Sequence, residues 1–151
     1  MPWSTAATAT SPASTEAVWA CYRTADSWTA WDDGLDAVTF NGELATGATG
    51  TLRPSGGPAL GFTVVHCEPG RAFEDVTPIP HRLLPLAAVR FRHTLSPLPT
   101  GGCEITHRVE IGGPLGALFA RLMGPGFAEG LPKTVRALAD YAAAHATPAH
   151  V

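Results

Sequence analysis

Between Val89 and Ile111 apolar and polar side chains alternate through two consecutive runs. Val89, Phe91, His93 and Leu95 fall on one face of the first, with Arg90, Arg92 and Thr94 on the other. In the second, Cys103, Ile105, His107, Val109 and Ile111 oppose Glu104, Thr106, Arg108 and Glu110. On the polar face Arg90, Arg92 and Arg108 read as cross-strand charge pairs with Glu104 and Glu110. Because a strand sends successive side chains to opposite faces, the pattern predicts a half-buried antiparallel hairpin. Residues 96–102, rich in Pro and Gly, close it. Each strand turns one histidine toward its apolar side.

Upstream, alternation over 5–10 predicts a short strand. Ser11-Pro12 supplies an N-cap and a proline at the first helical position for a helix over 13–22, with Ser14 or Thr15 as alternative starts. A second short helix over 24–31 places Trp28 and Trp31 on one face and ends at Asp32-Asp33-Gly34. Strands over 35–40, 50–54, 60–67 and 71–77, separated by Gly and Pro clusters, predict an antiparallel meander rather than βαβ units. Segment 78–86 is apolar but carries three prolines, which suit a central strand poorly. It reads either as an irregular connection packed on the core or as an apolar lid over a ligand entrance. Pro114 opens a terminal helix with Leu115, Leu118, Phe119, Leu122 and Met123 at helical spacing. Gly124-Pro125-Gly126 predicts a break, followed by a kinked continuation through Phe127, Leu131, Val135, Leu138 and Ala142 to about His145. At about 1.5 Å per residue, ~30 helical residues reach ~45 Å, enough to cross a whole sheet.

Composition narrows the function classes. The chain has 151 residues, 45% of them hydrophobic and 15% charged, which predicts a single domain with a real core, ordered over about 3–145. A net charge of −3 without a basic run argues against nucleic acid. No stretch approaches the ~20 apolar residues of a membrane span. The first residues lack the features of a signal peptide, so a cytoplasmic location is expected. Cys21, Cys67 and Cys103 are odd in number and lack CxxC spacing, so they read as reduced thiols.

Several segments carry a family resemblance: 11–19, Trp28-Thr29-Ala30-Trp31, 42–50, Phe91-Arg92-His93-Thr94-Leu95, and Thr106-His107-Arg108-Val109 with Gly113-Pro114-Leu115. In these segments and its element order the chain resembles the START and Bet v 1-like (SRPBCC) superfamily, and within it the small bacterial polyketide cyclase/dehydrase-like proteins. The resemblance implies an α+β helix-grip fold: a curved antiparallel sheet of about seven strands around a long C-terminal helix, with two short helices between the first two strands. It also implies a deep cavity between sheet and helix. The superfamily includes cyclases, hydrolases, carriers and receptors on one scaffold, so fold alone does not name an activity.

The alternation supplies candidate ligand-binding residues for that cavity: Phe62, Val64, Phe91, Ile105 and Val109 from strands, Phe119, Met123 and Phe127 from the helix, and Trp28 and Trp31 near one end. Such a wall suits a small, largely apolar molecule, aromatic or polyketide-like. Trp19 and Tyr22 read as core. A register that sets His93 opposite His107 brings their Cβ atoms to ~5 Å. Buried there, the pair could act as catalytic general acid and base in a cyclisation or dehydration; or each could be a satisfied core histidine that orients a ligand. A third ligand on the same face is missing, so no metal is expected, and no nucleotide or other cofactor motif is present. Asp32-Asp33-Gly34 reads as a helix-ending turn, or as a carboxylate at the cavity mouth serving as a base. No second inward acid or base is clearly placed beside the histidines. Binding of a small hydrophobic ligand is therefore the minimum reading, with a cofactor-independent cyclase or dehydratase using His93 and His107 as the alternative. Neither nucleic acid nor a membrane is an expected partner, and a homodimer is allowed.

Overall fold

The computed structural model describes residues 2–80 and 84–146. Seven strands, β1 (Trp3–Ser11), β2 (Leu35–Asn41), β3 (Thr49–Pro54), β4 (Leu60–Glu68), β5 (Ala72–Pro80), β6 (Pro85–Pro97) and β7 (Cys103–Gly112), form one antiparallel sheet in the order β1-β7-β6-β5-β4-β3-β2. Between β1 and β2 lie α1 (Thr15–Arg23), a 3₁₀ turn (Ala25–Ser27) and α2 (Trp28–Trp31). The last described element is α3 (Gly116–His145), packed mainly on β1 and β7. This is the helix-grip arrangement of a curved sheet around a terminal helix. Among the described residues no helix is long and apolar enough to cross a membrane.

Register follows the alternation. His93 pairs with His107, Phe91 with Val109 and Leu95 with Ile105, so the apolar faces of the two strands coincide. Ser14, rather than Ser11, caps α1, its hydroxyl accepting from the Ala17 N–H at 3.1 Å. Ser11 instead ties the end of β1 to the terminal helix, donating to the Ala139 carbonyl at 2.8 Å. The tryptophan segment is held by its own polar atoms: Trp28 Nε1 donates to the Tyr22 carbonyl at 3.0 Å, and Ser27 Oγ donates to that of Cys21 at 2.8 Å.

Three local expectations are corrected. First, β5 runs through Pro78 and Pro80, and Pro78 and Ile79 pair with Ala88 and Ala87. The ladder between β4 and β5 stops at Val76, so both prolines sit where β5 has a free edge and no donor is needed on that side. Residues 81–83 of the proposed lid lie outside the described residues. Second, α3 is not broken at Gly124-Pro125-Gly126 but continues with Pro125 and Pro132 inside it. The prolines and the residues four before them, Arg121 and Ala128, are exposed, so water can take the freed carbonyls. Gly124 is a point of close approach: an added Cβ would stand 3.0 Å from the Trp3 indole. Third, Arg90 and Arg92 pair with Glu74 of β5 rather than with Glu104 and Glu110, and Arg108 donates to Ser4 at 3.0 Å.

The core has two parts. Trp19, Tyr22, Trp31, Phe62, Phe73 and Ile105 belong to one, with Leu138 of α3. Val89, Val109, Ile111, Ala120 and Leu131 form the other, flanked by Phe91, Phe119, Met123 and Phe127.

Candidate functional site

On β5 the salt-bridged Glu74 lies on the outer face, so alternation sends Phe73, Asp75 and Thr77 inward. All three are buried. Their partners across the β5–β6 ladder are His93 for Phe73, Phe91 for Asp75 and Val89 for Thr77, a second inward row. The His93 ring lies flat on Phe73, centroids 4.0 Å apart and planes 9° from parallel. Its Nδ1 stands 3.8 Å from Asp75 Oδ2, beyond hydrogen-bond distance. His93 Nδ1 and Thr77 Oγ1 are both buried without a hydrogen-bond partner among the described residues.

Asp75, Thr77, Val89, Phe91 and His93 open onto a cavity of about 360 Å³ between α3 and the sheet. Its sheet side is formed by Leu35, Leu52 and Leu60, followed by Asp75, Thr77, Val89, Phe91 and His93. Met123, Gly126, Phe127, Gly130, Leu131 and Thr134 of α3 form the opposite wall. Trp28 and the turn Asp32-Asp33-Gly34 complete it. Asp33, Gly34 and Gly126 are exposed, which puts the mouth at that turn and the Asp75–Thr77–His93 group at depth.

The electrostatics of the cavity follow from burial. Desolvation, with the Glu74 carboxylate adding to it, pushes the Asp75 carboxyl up to about 8. Desolvation, aided by the adjacent His107 and opposed by the Phe73 backbone, holds His93 well below the usual imidazole range. Near neutral pH the deep group is thus an uncharged acid beside an uncharged base. Burial also lifts Asp32 to about 6, opposed by the Gly34 N–H bonded to its Oδ1 and reinforced by Asp33.

Of the residues singled out from sequence, Trp28, Phe91, His93, Met123 and Phe127 meet at this cavity. Trp31, Phe62, Val64 and Ile105 pack in the larger core cluster and Val109 in the smaller, with Phe119 against it. His107 touches His93, ring centroids 4.7 Å apart, but is not among the lining residues. Its Nε2 shares a 2.8 Å hydrogen bond with the Tyr22 hydroxyl, and burial carries its pKa down to about 3. Sequence reasoning missed Asp75 and Thr77. The signal was present in β5, where Glu74 opposite Arg90 and Arg92 fixes the parity of its neighbours. His66, after a register shift in β4, points out toward Glu68, 3.6 Å away. His145 bonds to the Tyr141 carbonyl, whereas His81 and His150 lie outside the described residues. Among the described residues no three His, Cys, Asp or Glu side chains are grouped to hold a metal ion.

Comparison with known proteins agrees with this architecture. Residues 2–144 match the model of a family described as polyketide cyclase / dehydrase and lipid transport. No curated protein matches the chain. Among solved structures, protein MLL2253 from Mesorhizobium loti is similar at 18% identity and a TM-score of 0.73, over 96% of this chain and 100% of the other. Norcoclaurine synthase from Thalictrum flavum, solved with dopamine and hydroxybenzaldehyde, is similar at 12% identity and a TM-score of 0.69, over 97% and 90%. Ara h 8.0201 is similar at 10% identity and a TM-score of 0.61, over 96% and 100%. At these identities the likeness is one of fold.

Proposed function

We propose that this chain, which belongs to the polyketide cyclase / dehydrase and lipid transport family, binds a small, largely apolar molecule between its sheet and α3, with a polar group of the molecule against Asp75, Thr77 and His93. The observation that carries the reading is the pair of buried atoms without a hydrogen-bond partner among the described residues, Thr77 Oγ1 and His93 Nδ1, on side chains that line a cavity of about 360 Å³. Leaving a buried polar atom unsatisfied costs about 1–3 kcal/mol, which a ligand supplying the partner recovers. The volume falls at the lower end of the ~300–1,000 Å³ typical of small-molecule sites. Trp28, Phe91, Met123 and Phe127 would hold the apolar body.

The test is a fluorescence titration with the neutral apolar dye N-phenyl-1-naphthylamine. Gly130 lines the cavity, and a Cβ added there meets nothing within 4 Å. Gly130→Phe should therefore fill the space while α3 remains folded. Saturable binding by the wild type that is lost in Gly130→Phe is expected; equal binding by both would place the dye elsewhere and remove the reading.

A second reading, a cofactor-independent cyclase or dehydratase, is favoured by the 3.8 Å approach of His93 Nδ1 to Asp75 Oδ2 and by the inverted order of their affinities for protons. Pairs of titratable groups pushed apart in this way suit acid and base roles. With a ketone in the cavity, His93 Nδ1 takes a proton from the α-carbon, the C–H electron pair forms the enol double bond, and the carbonyl oxygen takes the Asp75 proton. In a β-hydroxy ketone the imidazolium then protonates the departing hydroxyl, water leaves, and the enol proton returns to Asp75. The group that shares the cavity with His93 on this reading is Asp75, with His107 behind it. Deuterium exchange into the methyl group of 2-acetylnaphthalene, followed by NMR, measures the first step. Exchange faster than buffer, reduced by about tenfold or more in both His93→Gln and Asp75→Asn, is expected; wild-type exchange at the buffer rate would remove catalysis of this type.

A further inference from the structure

The cavity has a second polar zone that the deep group does not explain. Among the described residues its ionisable lining consists of Asp32, Asp33, Asp75 and His93, with no Lys or Arg. Asp32 and Asp33 lie together at the mouth, and among the described residues neither takes part in an ion pair. Asp32 is partly buried, its Oδ1 accepting the Gly34 N–H at 3.0 Å, so one oxygen is occupied by the turn. Trp28, one helical turn earlier, lines the same space. The depth is also chemically distinct: Thr77 and His93, 3% and 6% exposed, line it and carry polar atoms without a hydrogen-bond partner among the described residues.

The two zones ask for different groups. A neutral hydroxyl, ring N–H or carbonyl can satisfy Thr77 Oγ1 and His93 Nδ1 without bringing net charge into the apolar interior. At the mouth, two carboxylates with no basic side chain among the described lining residues favour a cation and repel an anion. Although burial raises Asp32 to about 6, its carboxyl remains mostly ionised near neutral pH.

We propose that the molecule held in this cavity is an amphipathic base, with a neutral polar group at Thr77 and His93, an apolar body along Phe91 and Phe127, and a protonated amine against Asp32 and Asp33. The inference rests on the cavity being a ligand site, and it names the chemical class of that ligand. A free carboxylate of similar shape is selected against.

Three probes of one skeleton separate charge from shape: tryptamine, tryptophol and indole-3-propionate. Their dissociation constants near neutral pH are to be measured by calorimetry, alongside displacement of N-phenyl-1-naphthylamine. Tryptamine should bind about tenfold or more tighter than tryptophol, a difference of about 1.4 kcal/mol, and indole-3-propionate more weakly than either. Asp32→Asn, whose amide oxygen can keep the Gly34 hydrogen bond, should bring tryptamine to within about twofold of tryptophol while leaving tryptophol unchanged. Equal or tighter binding of the alcohol or the acid overturns the inference, as does a preference for the amine that survives both Asp32→Asn and Asp33→Asn. If the dye binds and none of the three probes does, the amine is refuted and the cavity stands. If neither dye nor probes bind, both readings fall.

Discussion

The Asp75 carboxyl is buried beside an imidazole that is itself held neutral, so it carries its proton where an exposed aspartate would not. This has a consequence for stability with a definite sign. In the unfolded chain the group titrates near its ordinary value of 3.8, whereas in the folded protein it titrates at about 8. Between those values only the unfolded state loses the proton, so stability falls as pH rises through the window and levels off above it. Asparagine cannot ionise. Urea midpoints measured across the window should show Asp75→Asn gaining on the wild type as pH rises, at up to about 1.4 kcal/mol per pH unit. Parallel profiles would mean that Asp75 is ionised in the folded protein. At this scale the sequence was partly legible. The opposition of His93 and His107 could be read because both of their strands alternate without a bulge over the paired stretch. The Tyr22–His107 bond could not, because it joins side chains 85 positions apart and depends on how α1 lies across the sheet.

Elements show where local signals lose to packing. Gly124-Pro125-Gly126 has the composition of a helix break, yet α3 continues through it, with the Gly124 backbone close against Trp3 on one side and the prolines exposed on the other. Gly130, in the same helix, faces the cavity and has open space where a Cβ would go. The two glycines should therefore respond oppositely to alanine. Gly130→Ala should gain up to about 1 kcal/mol from helix propensity. Gly124→Ala should lose that gain to the clash with the indole. Thermal melts of the two variants test this directly: a rise for Gly130→Ala and a fall for Gly124→Ala are expected, and equal rises would show that Trp3 yields freely. The start of α1 has a similar lesson. Ser11 and Ser14 both had the right chemistry for a cap, and only the bond from Ser11 to Ala139 of α3 explains why Ser14 has the role.

For the whole molecule, an antiparallel meander covered by the terminal helix was legible because short periodic segments split by turns and one long apolar helix admit few arrangements; the pairing of β1 with β7 joins the two ends of the sheet's sequence and had no local signal. The extent of the cavity was not. The concave face carries more inward side chains than the cavity uses: Phe62, Val64 and Ile105 are buried in the core cluster with α1, α2 and the C-terminal part of α3, while the middle of α3, from Met123 to Thr134, leaves Phe91, His93, Asp75 and Thr77 lining open space. The central claim is that a ligand's polar end meets His93 at depth, with His107 behind it and bonded to Tyr22. Nitrogen-15 NMR of the two imidazoles during titration with 2-naphthol tests it most directly. The account predicts that the His93 Nδ1 resonance moves to saturation while His107 Nε2 stays in place. A saturated complex in which His93 does not move, or in which His107 moves instead, would contradict it.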